Sequence, residues 1–73
     1  MEKVNTGFAR RLRRNMARKG FTQMLLAERC GLTQGAISHI LTGRTSMVDV
    51  PTLFKIADAL DCDARWLATG EDA

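Results

Sequence analysis

The chain has 73 residues, of which 45% are hydrophobic and 26% charged, and its formal net charge is +3. This length allows one domain with a small core, no apolar run approaches the roughly 20 residues of a membrane span, and the amino terminus lacks the apolar segment of a signal peptide. We therefore expect one cytoplasmic domain over residues 1–73, with residues 69–73 as a polar tail.

The first predicted helix lies near the amino terminus. Apolar residues recur there at helical spacing, which predicts a helix from about Thr6 to Lys19 with Asn5 or Thr6 as its N-cap. Gly20 follows and is expected to end the helix. β-branched residues do not alternate over any useful length, here or further along the chain, so isolated strands are not expected.

Charge is divided unevenly along the chain. Residues 1–44 contain nine Lys or Arg and two acidic residues, a net charge of +7, whereas residues 45–73 carry a net charge of −4. Such a distribution indicates that the basic half of the chain binds a polyanion. On the first helix we interpret Arg10 and Arg14 as phosphate contacts. The alternative for a charge run of this kind is a solvated helix face.

Two short helical patterns meet at Gly31. Thr22 and Thr33 each stand where an N-cap hydroxyl would satisfy first-turn amides, which predicts helices that begin at about Gln23 and Gln34. Gly31 can adopt the left-handed conformation that ends the first of these helices and reverses the chain. Two short helices joined by so tight a turn cross steeply. The pattern indicates a helix-turn-helix whose second helix presents a polar edge to a DNA groove.

The polar edge of that second helix is short, uncharged and rich in hydrogen-bonding groups. Gln34 is the candidate for direct readout because its amide matches N6 and N7 of adenine, and the alternative is a side chain in solvent. Gly35 offers no side chain and should weaken discrimination there. His39 either reaches bases or phosphates or lies in solvent. The candidate DNA contacts on this edge are Thr33, Gln34, Gly35, Ser38, His39 and Thr42.

The remainder of the chain continues the helical pattern. Gly43 is a candidate C-cap, a loop follows over residues 44–48, and Asp49 is expected to cap a fourth helix. Asp61 to Asp63 makes the next turn, and Ala64 to Ala68 forms a last short helix. The apolar stripe of the fourth helix consists of Leu53, Ile56, Ala57 and Leu60.

The sequence indicates neither a metal site nor a catalytic site. Cys30 and Cys62 occupy positions where the helical pattern requires apolar residues, so we expect reduced, buried thiols, and a disulfide is the alternative. One His and two distant thiols do not have the spacing of zinc ligands. Ser38 and His39 are neighbours on a helix, so their side chains diverge by about 100° and no third group orients the imidazole. We expect no enzyme activity, no cofactor and no small-molecule ligand.

Four residues carry a resemblance to a known family. Gln23, Ala27, Gly31 and Ile37 have the spacing found in the helix-turn-helix of the lambdoid phage repressor and Cro family of transcription regulators. The string LFKIADALDCDARWLATGE is similar to the fourth and fifth helices of that family, so the resemblance covers Phe8 to Glu71. It implies an all-α, compact five-helix repressor-like domain in which helices 2 and 3 form the helix-turn-helix.

The chain departs from the family pattern in two places. Most members pair an Arg in the first helix with a Glu near the end of the third, where this chain has Met16 and Leu41. We therefore expect a hydrophobic contact in place of the ion pair, an exchange that is often neutral or stabilising because a buried pair must be desolvated. The loop over residues 44–48 is also one residue longer than the commonest spacing.

Arg44, just past the third helix, is interpreted as a phosphate contact like Arg10 and Arg14, and the alternative is a solvated side chain. The resemblance implies roles for three further residues. Gln23, at the start of the second helix, would contact a phosphate, and is otherwise a surface residue. Phe54 and Trp66 would be dimer-interface candidates, since the family pairs through this end of the domain, and Trp66 is otherwise a core residue. The implied function is sequence-specific binding of double-stranded operator DNA by a homodimer on a palindromic site. Such a protein would regulate transcription in the bacterial nucleoid, as a repressor of phage or prophage type.

The sequence leaves two alternatives to this function. The chain could be the amino-terminal DNA-binding half of a longer repressor. It could also be an antitoxin-like interaction module that binds DNA weakly and a partner protein tightly. The operator, the regulated genes, the choice between repression and activation, and the stability of a dimer without DNA do not follow from the residues.

Overall fold

The computed structural model describes residues 2–4, 7–45 and 47–71, which form five helices and two very short strands. In chain order the elements are β1 Glu2–Lys3, α1 Phe8–Lys19, α2 Gln23–Cys30, α3 Gln34–Leu41, β2 Met47–Val48, α4 Val50–Ala59 and α5 Ala64–Thr69. The predicted all-α, five-helix architecture is confirmed. Within the described ranges, no helix is long and apolar enough to cross a bilayer.

The helix α1 begins two residues later than predicted. Its first residue is Phe8 and its N-cap is Gly7, which has no side chain to offer to the first-turn amides. The predicted caps, Asn5 and Thr6, lie outside the described residues. Gly20 ends the helix as predicted, in the left-handed conformation with φ of 71°.

The helices α2 and α3 form the predicted helix-turn-helix. The hydroxyl of Thr22 accepts a hydrogen bond from the amide of Leu25, and the hydroxyl of Thr33 accepts one from the amide of Ala36, each at 3.1 Å. Gly31 between the helices has φ of 68°. A Cβ placed on Gly31 would meet nothing within 4 Å, so the backbone conformation of the turn, rather than crowding, favours glycine there.

The end of α3 differs by one residue from the prediction. The C-cap is Thr42 and not Gly43, so the helix ends one residue earlier than predicted. The hydroxyl of Thr42 donates to the carbonyl of Ser38 at 3.0 Å, which adds a side-chain bond at this end of the helix. Gly43 follows in the left-handed conformation, with φ of 74°. Its amide donates to the carbonyl of Ile40 at 3.2 Å. The glycine therefore reverses the chain, but one position beyond the cap.

The two strands were not predicted. The strands β1 and β2 pair antiparallel, with Glu2 opposite Val48 and Lys3 opposite Met47. The expectation that the chain forms no isolated strand is therefore wrong at this place. A ladder of two residues a side needs no alternating β-branched run, and it is anchored by the burial of Val4 and Val48 in the core. It is too short to change the fold class.

Aspartate side chains begin the last two helices. A carboxylate oxygen of Asp49 and one of Asp63 each accept a hydrogen bond from the amide three residues further on, at 2.9 Å and 2.8 Å. Asp61, in the turn between α4 and α5, has φ of 53°, a conformation that Asp tolerates better than most residues. The last helix reaches Thr69, one residue beyond the predicted end at Ala68.

A single core joins the five helices. The predicted apolar stripe of α4 is buried at all four positions. The large side chains with no exposed surface come from every helix, and they are Leu12, Leu26, Ile37, Ile56, Leu60 and Leu67. Because α3 contributes to this core along one side, its opposite side is left for solvent or a partner.

Both cysteines are free thiols, as expected. Cys30 is buried, with its Sγ 3.7 Å from the carbonyl oxygen of Lys55. Cys62 is only half-buried against the core, so the expectation of full burial holds for Cys30 alone. Burial raises the pKa of both thiols, which favours the protonated and less reactive form at neutral pH.

Candidate nucleic-acid interface

The helix α3 has a buried face and an accessible face. Ile37, Ile40 and Leu41 are at most 5% exposed and pack into the core. On the accessible face, Ser38 is half-buried. The other members of the predicted polar edge are exposed, namely Thr33, Gln34, Gly35, His39 and Thr42. All six candidate residues therefore lie on the accessible side of one rigid element.

The two threonines of the polar edge hold the ends of α3. The hydroxyl of Thr33 accepts from a first-turn amide and still has its proton to donate. The hydroxyl of Thr42 directs its single proton to the carbonyl oxygens of Ser38 and His39, at 3.0 Å and 3.3 Å. Thr42 can therefore only accept a hydrogen bond from a ligand, whereas Thr33 can donate one, for example to a phosphate oxygen.

Three side chains of the polar edge are uncommitted. Gln34, Ser38 and His39 make no side-chain hydrogen bond within the part of the chain that the structure describes. Their amide, hydroxyl and imidazole groups supply the donors and acceptors that base edges require. These three residues are the candidates for base reading, and we call them the base-reading group.

Gly35 lies beside the base-reading group. Its φ is not in the left-handed region, and a Cβ placed there would meet only Oγ1 of Thr33, at 3.9 Å. The fold itself therefore has no need of a glycine at this position. The missing side chain leaves room for another molecule to approach the backbone of α3 closely.

The start of α2 has the features of an anion site. Gln23 is the first residue of the helix and is half-buried. Thr22 accepts two hydrogen bonds, from the amide of Leu25 at its hydroxyl and from the amide of Leu26 at its carbonyl. The amides of Gln23 and Met24 have no acceptor among the described residues. Free amides at the positive end of a helix dipole favour a phosphate.

Two arginines of α1 are hydrogen-bonded to other helices. The Nε of Arg11 donates to the carbonyl of Leu67 in α5 at 2.9 Å, and Nη2 of Arg13 donates to the carbonyl of Leu41 in α3 at 3.0 Å. Sequence reasoning missed both bonds. The partners are 56 and 28 residues away along the chain, so no local pattern distinguishes these arginines from their neighbours.

Of the other three arginines of α1, one is hydrogen-bonded within the helix and two have no partner among the described residues. Arg18 donates to Oδ1 of Asn15 at 2.8 Å, while Nδ2 of this buried Asn donates to a carbonyl of its own helix at 2.9 Å. Arg10 and Arg14 are exposed and make no hydrogen bond or ion pair within the described ranges. They are the two arginines of α1 that are predicted to contact phosphates.

Arg44 lies just beyond the end of α3. Its amide donates to the carbonyl of His39 at 3.0 Å. The side chain is exposed and has no partner in the described part of the molecule. Like Arg10 and Arg14, Arg44 therefore has an exposed guanidinium without a partner in the described residues, and it lies directly after the end of α3.

Met16 and Leu41 take the places of the family's ion pair. They are 6% and 5% exposed, and both line one open cleft of about 310 Å³ between α1 and α3. The cleft is completed by Arg13, Ala17, Phe21 and Gln23. Burial of both side chains is what a hydrophobic replacement of the pair requires.

The two dimer-interface candidates have different surroundings. Phe54 on α4 is 52% exposed, and Val50, one turn earlier, is 36% exposed. Trp66 on α5 is half-buried and packs against the core. Phe54 is therefore accessible to a second molecule, whereas Trp66 is partly buried by its packing against the core. The dimer role of either residue stays a prediction.

Comparison with known proteins agrees with this fold. The helix-turn-helix family model matches residues 10–67. The chain is 38% identical over 66 residues to the HTH-type transcriptional regulator PrtR of Pseudomonas aeruginosa, covering 90% of this chain and 25% of that protein. It is 39% identical over 61 residues to the HTH-type transcriptional regulator for conjugative element SXT of Vibrio cholerae, covering 84% and 27% respectively. The chain spans about a quarter of the length of these curated relatives.

A solved structure shows the same arrangement of elements. The P22 c2 repressor, crystallised with a synthetic operator, superposes with a TM-score of 0.80 at 23% sequence identity. The match covers 88% of this chain and 96% of that one. At this identity the likeness shows the fold.

Proposed function

The chain belongs to the helix-turn-helix family, and on that premise we propose that it binds operator DNA specifically and regulates transcription, as a repressor of phage or prophage type. The main support for this proposal is the different exposure of the two faces of α3. An uncommitted base-reading group is exposed on a helix whose other face is buried. The names of the relatives, both transcriptional regulators, and the operator in the P22 c2 structure support the same function.

In this proposal α3 reads bases in the major groove. Gln34 is at the amino end of the helix, where residues of a recognition helix contact base edges, and its amide can pair with the N6 and N7 atoms of one adenine. Ser38 and His39 follow one turn later and reach adjacent bases or the flanking phosphates. Gly35 adds no base contact of its own but lets the backbone come near.

In this proposal the phosphate contacts come from α1, from the start of α2 and from the residue that follows the cap of α3. Arg10 and Arg14 on α1 and Arg44 after α3 are exposed, uncommitted cations. The free amides at the start of α2, with the side chain of Gln23, hold a further phosphate. Such contacts fix the register and orientation of a protein on the duplex but carry no sequence information.

Specific binding is proposed to require two copies of the chain. One helix of eight residues makes few base contacts, so high affinity needs a second half-site. A two-fold dimer demands an inverted repeat whose half-sites are about 34 Å, or one helical turn, apart. The exposed pair Val50 and Phe54 and the edge of Trp66 are the surface that we assign to the dimer.

Selection of bound sequences from a random pool of duplex DNA tests the proposal. We expect enrichment of a palindrome, because each subunit of a two-fold dimer reads one half. A pool from which the protein enriches nothing would contradict operator binding. Enrichment of a single half-site without its repeat would contradict the dimer but not DNA binding.

A further inference from the structure

The carbonyl groups at the end of α3 are all hydrogen-bonded, and one of them uses a donor from another helix. The carbonyls of Ser38, His39 and Ile40 accept from the amides of the three residues that follow the helix, at 2.9 to 3.2 Å. The carbonyl of Leu41 accepts from Nη2 of Arg13 in α1, at 3.0 Å. The last turn of the proposed reading helix is therefore attached to α1 by a charged donor.

The position of Arg13 suits this attachment. The carboxyl end of a helix carries a partial negative charge, which a guanidinium stabilises at short range. Arg13 is one turn before Met16 and lines the same cleft between α1 and α3 as Met16 and Leu41. These two helices lack a side-chain ion pair at Met16 and Leu41, and the bond from Arg13 gives them a polar connection through the main chain instead.

We propose that Arg13 is a positioning residue for DNA recognition, which holds the carboxyl end of α3 on α1 and so sets the orientation of the base-reading group. This inference rests on the function proposed above. The amino end of α3 is set by the Thr33 cap and the turn at Gly31. Ile37, Ile40 and Leu41 hold the buried face of the helix in the core, and the bond from Arg13 adds an attachment at its carboxyl end.

The competing role for Arg13 is a phosphate contact, which its neighbour Arg14 serves in the proposed function. The two roles predict different losses. A phosphate contact contributes to every DNA sequence alike, whereas the orientation of α3 matters only where bases are read. Arg14 is the matched control, because it carries the same charge on the same helix and makes no hydrogen bond within the described ranges.

The test compares Arg13→Gln with Arg14→Gln in binding titrations on the selected operator and on random duplex DNA. Both variants lose one positive charge and should lose similar affinity for random DNA. Arg13→Gln should lose about tenfold more of its operator preference, the weight of one hydrogen bond from a charged donor. If the two variants keep the same ratio of operator to random affinity, Arg13 is a phosphate contact and the proposal is overturned.

Hydrogen exchange on the free protein tests the attachment without DNA. The amides of Gly43 and Arg44 bond to carbonyls of the last turn of α3, and Arg13→Gln should make them exchange about tenfold faster, while Arg14→Gln leaves them unchanged. Equal exchange in both variants would overturn the inference even if the operator is bound. If the wild-type protein binds no DNA, the proposed function fails, and the exchange rates still decide whether Arg13 holds α3.

Discussion

At the scale of single residues, base reading can be separated from phosphate binding at Gln34. The side chain is exposed at the amino end of α3 and has no partner within the described residues. Gln34→Ala should cost about 1 to 3 kcal/mol of binding free energy on the selected operator, because a bidentate pair with one base is lost. Titrations on random DNA should show almost no change. An equal loss on both kinds of DNA would mean that the reading residues lie elsewhere.

Arg14 is expected to behave in the opposite way. Its guanidinium is exposed and uncommitted, so it contributes charge without a base partner. Arg14→Ala should weaken binding to operator and random DNA by the same factor, and it should lower the slope of log affinity against log salt by about one unit per subunit. Titrations at several salt concentrations measure both quantities. A loss confined to the operator would contradict the phosphate assignment.

At the scale of elements, Met16 and Leu41 test how α1 and α3 pack. Leu41→Glu alone should cost on the order of 1 to 3 kcal/mol of unfolding free energy, because a carboxylate is placed in a buried apolar position. Met16→Arg combined with Leu41→Glu should be tolerated, since it restores the pair found in the family. Thermal melts of both single variants and the double variant measure the coupling, and simple additivity would show that the two residues do not touch.

The cap of α4 makes a prediction about acid stability. Hydrogen bonds from Thr52 lower the pKa of Asp49. A carboxylate whose pKa is lower in the folded state stabilises the protein above its unfolded pKa and loses this effect as pH falls through the folded value. Asp49→Asn keeps a good cap without the titration. Its thermal stability should therefore fall less than that of the wild type between about pH 5 and pH 2.

The control for this experiment is Asp49→Ser, which also keeps a capping oxygen and carries no carboxylate. It should show the same reduced loss of stability at low pH as Asp49→Asn. If Asp49→Asn lost stability with pH as steeply as the wild type, the cap would not be the source of the effect.

What the sequence could predict in this fold is mostly local. The caps at Thr22, Thr33 and Asp49 and the turn at Gly31 follow from a side chain and the backbone within three residues of it, so the pattern alone places them. The ladder of β1 and β2 could not be predicted, because its partners are far apart and too short to show a period. The one-residue error at Gly43 arose because the glycine reverses the chain directly after the cap, which is Thr42.

The candidate site shows the same division. The polar edge of α3 could be predicted because helical periodicity places its residues on one face. The separate roles of the arginines in α1 could not, since Arg11 and Arg13 find their acceptors only after the helices pack. The burial of Asn15 and its hydrogen bond with Arg18 could not be predicted either, because a polar residue is not expected on the buried side of an amphipathic helix.

At the scale of the whole molecule, the uneven distribution of charge along the chain follows the division of the fold into elements. The amino-terminal residues 1–44, which hold the net charge of +7, include Arg10, Arg14 and Arg44 and the whole helix-turn-helix. The acidic remainder includes α4 and α5. Asp61, in the turn between these two helices, makes an ion pair with Lys19 at the end of α1, and this pair at 3.8 Å on the surface contributes little to stability. The chain therefore carries its positive charge on the part that is proposed to meet DNA.

The salt dependence of operator binding tests the central claim most directly. Arg10, Arg14, Arg44 and the first-turn amides of α2, counted over two subunits, give about 6 to 10 phosphate contacts, each of which releases counterions on binding. Affinity for the selected operator, measured by titration, should fall by roughly 10³ to 10⁵ between 50 and 200 mM salt. A nearly flat dependence over this range would contradict the assignment of the chain as a DNA-binding protein.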